Sequence, residues 1–177
     1  GPLDMRMDPS QTVTASYILQ TYTQQQLHKM FELYGEVTNS KTLAETIVKQ
    51  RSTNSFQTIE QLKQALQTVV KGNPNKYFAQ VFQALRIEVN EELQVLKELL
   101  EQLPGILKPK GRVAVISFHS LEDRLVKNFF KKGSFEEEVY NPFERDEKKQ
   151  VFTIITKKPV EPSPEEQKEN PRSRSAR

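Results

Sequence analysis

His119 and Ser120 follow an apolar run directly, and their position makes them the best candidates for chemistry in this chain. The run, 112–118, is apolar at nearly every position, which is typical of a strand buried on both faces of a parallel sheet. In open α/β sheets the carboxyl ends of strands face the ligand crevice. We therefore consider both residues candidate catalytic groups. The alternative is that Ser120 or His119 caps the next helix.

The C-terminal tail is the most basic part of the chain. Its last ten residues hold four basic side chains and one acidic side chain, which equals the net charge of +3 of all 177 residues. Arg172 and Arg174 suit phosphate recognition. The tail therefore suggests contact with an anion such as RNA phosphate, although a solvated, frayed terminus has the same composition.

Two further groups of polar residues could contact RNA. Arg6 lies in a charged loop between two methionines, where it could hold a phosphate or pin the loop to Asp8. Gln83, Arg86 and Asn90 are spaced three and four apart in an apolar helical pattern, so they share a face. Such a stripe forms either a structural network or an RNA contact.

The helix expected after His119 begins with acidic residues and continues with basic ones. Glu122 and Asp123 complement the helix dipole in the first turn. Arg124 and Lys127 either meet phosphate or are simply solvated. These two residues complete the candidate RNA-binding set.

Composition excludes several kinds of site. The chain has no cysteine, which excludes disulfides and thiolate chemistry. His28 and His119 lack partners at metal-ligand spacing, so we expect no metal site. No apolar run approaches the roughly 20 residues of a membrane span, and the start lacks a secretory signal. We expect a cytoplasmic protein.

The chain divides into a helical block, about 10–103, and a strand–helix–strand block, about 111–158. Capping-box pairs at Thr23 and Thr58 predict two helix starts, and another helix is expected over 40–51. The stretch 77–103 predicts one long helix, or a pair with a short break, that ends before Pro104.

The second block is incomplete as a sheet. Strands are predicted at 112–118 and 151–156, separated by a helix and the charged linker 136–150. Two strands and one helix cannot cover both faces of a sheet, so this unit needs a larger sheet or a second copy. Prolines at 159, 162 and 164 are expected to end regular structure.

Four stretches carry a resemblance to a known family. They are GPLDMRMD at 1–8, VFQALRIEVN at 81–90, SFHSLEDR at 117–124 and NPRSRSA at 170–176. In this order they resemble the bacterial S-adenosylmethionine-dependent methyltransferases that N4-methylate a cytidine in the decoding region of small-subunit ribosomal RNA.

The resemblance implies an α/β fragment. A mostly helical inserted domain would be followed by the last strands of a Rossmann-like class I methyltransferase sheet. Residues 1–9 would form a loop beside the active site, and 10–103 the inserted RNA-recognition domain. Residues 104–160 would belong to the α/β domain, and 161–177 would form the basic tail.

The resemblance also implies that the donor-binding half lies outside this chain. The family's glycine-rich donor loop has no counterpart here, because the six glycines are scattered (positions 1, 35, 72, 105, 111 and 133). S-adenosylmethionine would be the cofactor of the intact enzyme, and this chain alone is expected to bind no donor and to be inactive. Its expected partners are small-subunit ribosomal RNA and the N-terminal methyltransferase half. The alternatives are a non-catalytic RNA-binding or ribosome-assembly module and a purely structural helical domain.

Overall fold

A computed structural model describes residues 1–135, 151–156 and 158–177. The predicted linker 136–150 lies outside these residues. The chain forms two compact units, Gly1–Glu92 and Leu93–Arg177. Among the residues described, none of the helices combines the length and the apolar character that a membrane crossing requires.

The first unit is helical, and short polar side chains begin its helices. Thr23 and Thr58 each form the predicted capping box, with Gln26 and Gln61 respectively. Asn73 caps the next helix, which has Pro74 at its first position. The helices are α1 (Ala15–Thr21), α2 (Gln24–Leu33), α3 (Ser40–Gln50), α4 (Ile59–Leu66, extended by a 3₁₀ turn at Gln67–Val69) and α5 (Pro74–Val89).

The apolar faces of these helices enclose one core. Its fully buried members include Phe31 of α2, Leu43 of α3 and Leu85 of α5. Gly35 lies just beyond the end of α2, after the capping residue Tyr34. A Cβ atom there would lie 2.8 Å from the backbone oxygen of Gln80, on α5. Glycine is therefore required at this position by the close approach of two backbones.

The long helical stretch is a pair of helices with a break, which was one of the two predicted forms. Asn90 ends α5, and Glu91 has a φ of 49° in the left-handed region. The next helix, α6 (Glu92–Ile106), contains Pro104, so the prediction that it ends before this proline is wrong. Proline already has a helical φ and costs only one backbone hydrogen bond in a last turn.

The second unit contains α7 (Ser120–Lys132), which ends at Gly133 with a φ of 85°. Neither 112–118 nor 151–156 is a strand in the part of the chain that the structure describes, in contrast to the prediction. A strand exists only where a neighbour completes its hydrogen bonds, and the pattern of one segment does not supply that neighbour. Phe152 packs instead on the rings of Phe129 and Phe130, at centroid distances of 5.7 and 5.0 Å.

The prolines of the tail do not end regular structure, so that prediction is wrong. Ser163 caps α8 (Pro164–Glu169) by accepting a hydrogen bond from the Glu166 amide, and a 3₁₀ turn follows at Pro171–Ser175. A proline fits the first position of a helix, where its missing N–H has no intrahelical partner anyway. The tail is therefore built of short helical turns.

Candidate nucleic-acid interface

His119 is the N-terminal cap of α7, and Ser120 is the first helical residue. The Nδ1 atom of His119 accepts a hydrogen bond from the Glu122 amide at 3.3 Å. In return the Glu122 carboxylate accepts from the amides of Phe118 and His119, at 2.8 and 3.4 Å. This reciprocal capping box fixes the imidazole at the start of the helix. The hydroxyl of Ser120 is left on an exposed residue.

The second nitrogen of His119 is the chemically distinctive atom of this cap. The side chain is only 9% exposed, and its Nε2 atom lies 3.4 Å from a Glu122 carboxylate oxygen. That distance permits an ion pair, but the geometry makes no hydrogen bond with any residue that the structure describes. Since Nδ1 is an acceptor, the neutral ring carries its proton on Nε2. This Nε2–H is buried and has no hydrogen-bond partner among the residues that the structure describes.

The C-terminal tail lies beside this cap. The amide of Ser117 donates to the Arg177 carbonyl at 3.0 Å, and the Arg177 amide donates back to Ser117 at 2.9 Å. Ser173 is buried within the tail and its hydroxyl donates to the Asn170 carbonyl at 2.8 Å. Two of the four sequence motifs, SFHSLEDR and NPRSRSA, are thus joined by a reciprocal pair of backbone hydrogen bonds.

The basic candidates of the second unit are exposed. Arg172 and Arg174 extend from the 3₁₀ turn of the tail, and Arg124 and Lys127 lie on α7. Lys131, which sequence reasoning did not select, is also exposed and lies four residues after Lys127, on the same helix face. The sequence signal that could have identified it is the helical spacing of the basic residues at 124, 127 and 131. These positions give α7 a basic stripe that can meet a phosphate backbone.

Arg6 is held inside its own loop. Its Nε and Nη2 atoms donate to the Asp4 carboxylate at 2.7 and 2.8 Å, and Nη1 donates to the carbonyls of Pro9 and Gln11. This ion pair lowers the pKa of Asp4 to about 2. The loop is therefore pinned to Asp4, and not to Asp8 as one sequence interpretation had it. The Asp8 carboxylate accepts from the Ser10 amide instead.

The polar stripe of α5 is a structural network. Gln83 donates to the Tyr34 carbonyl at 2.9 Å, and Arg86 binds Glu92 through two hydrogen bonds of 2.8 and 3.0 Å. The Asn90 amide donates to the Met5 carbonyl and accepts from the Met7 amide. These contacts favour the structural interpretation, and they tie the 5–7 loop to the end of α5.

Loop and helix together line a groove of about 470 Å³. The groove brings Arg6 and Arg86 to one surface. The sequence did not predict this proximity, because the two residues are far apart in the chain. The other side chains of the groove are mostly apolar. They are Met5, Met7, Ala79, Phe82 and Gln83.

Comparison with known proteins agrees with the four motifs. The model of the family described as "MraW methylase family" matches residues 1–177. The chain is 48% identical to "Ribosomal RNA small subunit methyltransferase H" of Azobacteroides pseudotrichonymphae, over 100% of this chain and 58% of that protein. Its identity to the protein of the same name from Cytophaga hutchinsonii is 46%, over 100% of this chain and 59% of that protein.

A relative from a third organism gives the same result. The protein of that name from Aster yellows witches'-broom phytoplasma is 45% identical, over 99% of this chain and 57% of its own length. The chain thus spans less than three fifths of the length of these relatives. With a match over all of its residues, the chain belongs to the MraW methylase family.

Proposed function

We propose that this chain is part of an S-adenosylmethionine-dependent methyltransferase that N4-methylates a cytidine of small-subunit ribosomal RNA. Its contribution is substrate recognition and completion of the methyltransferase sheet, in the cytoplasm. The observation that carries the proposal is the reciprocal pairing of Ser117 with Arg177. This pairing joins the His119 cap to a tail that bears exposed arginines. The names of the relatives support ribosomal RNA as the substrate class.

The RNA-binding role falls on the basic residues. Arg172, Arg174, Arg124 and Lys127 are exposed in the second unit, where guanidinium and ammonium groups can bind phosphates without a prior rearrangement of the core. Arg6 and Arg86 already bind carboxylates. Their role is to shape the groove between the 5–7 loop and α5. They can contact RNA only through the guanidinium N–H groups that the carboxylates do not occupy.

His119 is assigned the role of a hydrogen-bond donor to the substrate, and this role requires that binding uncover its buried Nε2 atom. Its Nδ1 atom is occupied by the helix cap, so the ring contributes Nε2–H rather than a basic nitrogen. Ser120 adds an exposed hydroxyl at the same helix start. Replacement of His119 by serine keeps a good cap, and the short serine side chain cannot place a donor where Nε2 stands. The proposed role predicts about a hundred-fold slower methyl transfer by the complete enzyme, with unchanged thermal stability.

Sheet completion is supported by the apolar residues of 112–118. Ile116 and Phe118 are 71% and 55% exposed, although the segment has the pattern of a strand buried on both faces. In a Rossmann-like sheet, neighbouring strands would pair with this segment and helices on the two faces would cover these side chains. We further propose that 104–160 belong to the α/β domain and 10–103 to an inserted helical domain.

The surroundings of the glycines that the structure describes do not fit a cradle for a nucleotide-type donor. Gly35 is closed in by backbone oxygens within 3 Å, so it serves packing and cannot cradle a ligand. Gly72 and Gly105 have no neighbouring atoms where a Cβ would stand. Donor binding is therefore assigned to the part of the relatives that this chain does not span. The chain alone is expected to be inactive.

Calorimetric titration with S-adenosylmethionine tests this assignment, on the chain alone and on the chain joined to the preceding segment of a full-length relative. We expect binding, and transfer of a labelled methyl group to small-subunit RNA, only in the joined protein. Micromolar donor binding by the chain alone would show that the donor site has been misplaced. RNA binding without methyl transfer by the joined protein would favour a non-catalytic ribosome-assembly module.

A further inference from the structure

The groove between the 5–7 loop and α5 has a composition that the proposed function does not use. We propose that it binds one unstacked nucleobase of single-stranded RNA, by stacking and edge contacts and not through phosphate. This rests on the proposed function for its choice of RNA. It names a subsite in the first unit, in residues 1–92.

The charges of the groove exclude a phosphate site. Each guanidinium that lines it is bound to a carboxylate, Arg6 to Asp4 and Arg86 to Glu92. The first unit as a whole carries nine basic and nine acidic residues. A backbone phosphodiester, which carries one negative charge, would meet a charge-balanced wall, whereas a neutral base meets no electrostatic penalty.

The apolar surfaces of the groove suit a planar ring. Phe82 lines the groove, and its ring packs against that of Phe78, a residue outside the lining, with centroids 6.1 Å apart and planes 28° from parallel. Met5 and Met7 supply thioethers, which pack well against aromatic rings. Aromatic side chains that stack with bases are typical of single-strand RNA binding.

The polar groups left over in the groove can recognise the edge of a base. Arg86 uses Nε and Nη2 for Glu92, and Nη1 has no hydrogen bond to the residues that the structure describes. Gln83 donates through its amide nitrogen to Tyr34, so its oxygen can accept. One donor and one acceptor beside a stacking surface match the mixed edge of a pyrimidine or purine.

The loop is held in place for such a contact before any ligand arrives. Met5 has a φ of 68°, a backbone conformation that L residues seldom adopt. Asn90 holds it there, by hydrogen bonds of 2.9 Å to the Met5 carbonyl and 2.8 Å from the Met7 amide. Met7 remains 68% exposed at the rim. A rigid, exposed apolar rim lowers the entropy cost of binding.

Abasic RNA provides the test, because removal of one base leaves every phosphate in place. Fluorescence anisotropy would compare this chain with a short single-stranded RNA of small-subunit sequence and with matched RNAs that carry one abasic nucleotide at successive positions. We expect one position at which loss of the base weakens binding about ten-fold. That discrimination should shrink to less than about two-fold in Phe82→Leu and in Met7→Ala.

Tyr17→Ala is the matched control, since Tyr17 is 51% exposed and does not line the groove. It should keep the ten-fold discrimination, and thermal melts would confirm that Phe82→Leu is folded. Equal affinity for all abasic RNAs, or discrimination that survives in Met7→Ala and Phe82→Leu, overturns the groove proposal and leaves the RNA role of the tail intact. Absence of any RNA binding by this chain overturns the groove proposal and its RNA-binding role together.

Discussion

The two units of this chain differ in how they treat their apolar side chains. Among the residues described, nearly all of the fully buried apolar side chains belong to the unit Gly1–Glu92, and Leu100 and Phe129 are those of the other unit. Exposed large apolar side chains show the reverse. Of the residues that the structure describes, three such side chains lie in the first unit and ten in the second.

This difference agrees with the proposal that the first unit buries a core of its own and that the second belongs to a larger sheet. Helices bury their apolar stripes against each other, so five of them suffice for a core. A strand buried on both faces needs strands at its edges and helices above and below it. The second unit provides α6, α7 and the tail. The exposed residues of 112–118 and 151–156 have no such cover among the residues described.

The largest effect on the free energy of unfolding is expected when the same leucine-to-alanine substitution is made in each unit. Leu43→Ala, at a residue with no exposed surface, should lower the free energy of unfolding by about 2–5 kcal/mol, because it removes packing and leaves a cavity. Leu99→Ala, at a residue 52% exposed, should change it by less than about 0.5 kcal/mol. Urea unfolding followed by circular dichroism measures both.

A comparable loss in Leu99→Ala would contradict the view that the second unit is uncovered. It would mean that this face of α6 is buried in solution, by self-association or by the segment outside the described residues. Sedimentation at two concentrations would separate these causes. Leu33→Ala, at a residue 58% exposed in the first unit, is the matched control.

A second test asks whether a longer protein covers the apolar face. In the chain alone, Ile116→Ala should be neutral within about 0.5 kcal/mol, since Ile116 is 71% exposed. In the chain joined to the preceding segment of a relative, the same change should cost about 2 kcal/mol, because a central strand is buried there. Equal effects in the two proteins would remove the support for sheet completion.

Glycine substitutions should have opposite signs in the two units. Gly35→Ala would place a Cβ against backbone oxygens at 2.8 and 2.9 Å, and it should destabilise by about 1–3 kcal/mol. Gly105→Ala has open space in α6, and it should stabilise by about 0.5–1 kcal/mol through helix propensity. Thermal melts of both variants suffice. Destabilisation by Gly105→Ala would show that its helix end is packed against something.

Local signals in the sequence were enough for most helices. The capping boxes at Thr23 and Thr58 form as predicted, because each depends on residues three positions apart. The cap at His119 was harder to assign, since histidine is an uncommon cap and Ser120 is a common one. Glu122, three residues after His119, was the signal that could have decided between them.

Long-range contacts lay beyond a single sequence. Asn90 binds Met5 across 85 positions, and Ser117 pairs with Arg177. Neither contact produces a periodic pattern in the sequence from which it could be predicted. The partner of Arg6 was missed for a different reason, because Asp4 and Asp8 are equally near in sequence and only the turn of the loop selects Asp4. The run 112–118 is apolar, but the strand predicted there does not form. A strand depends on pairing with residues elsewhere, which the pattern of one segment does not reveal.

The smallest expected effect is the acid sensitivity of the 1–11 loop. The pKa of Asp4 is lowered from 3.8 to about 2 by its hydrogen bonds with Arg6. A lowered pKa means that the folded state favours the carboxylate, so the pair stabilises above pH 4 and this contribution disappears as the pH falls through 2. Asp4→Asn should therefore unfold with a shallower pH dependence between pH 4 and 2. The difference should shrink in high salt, because 39% of the Asp4 side chain is exposed. Identical acid titrations of the two proteins by circular dichroism would show that Asp4 does not anchor this loop in solution, and the groove lined by Arg6 would then lose one of its fixed walls.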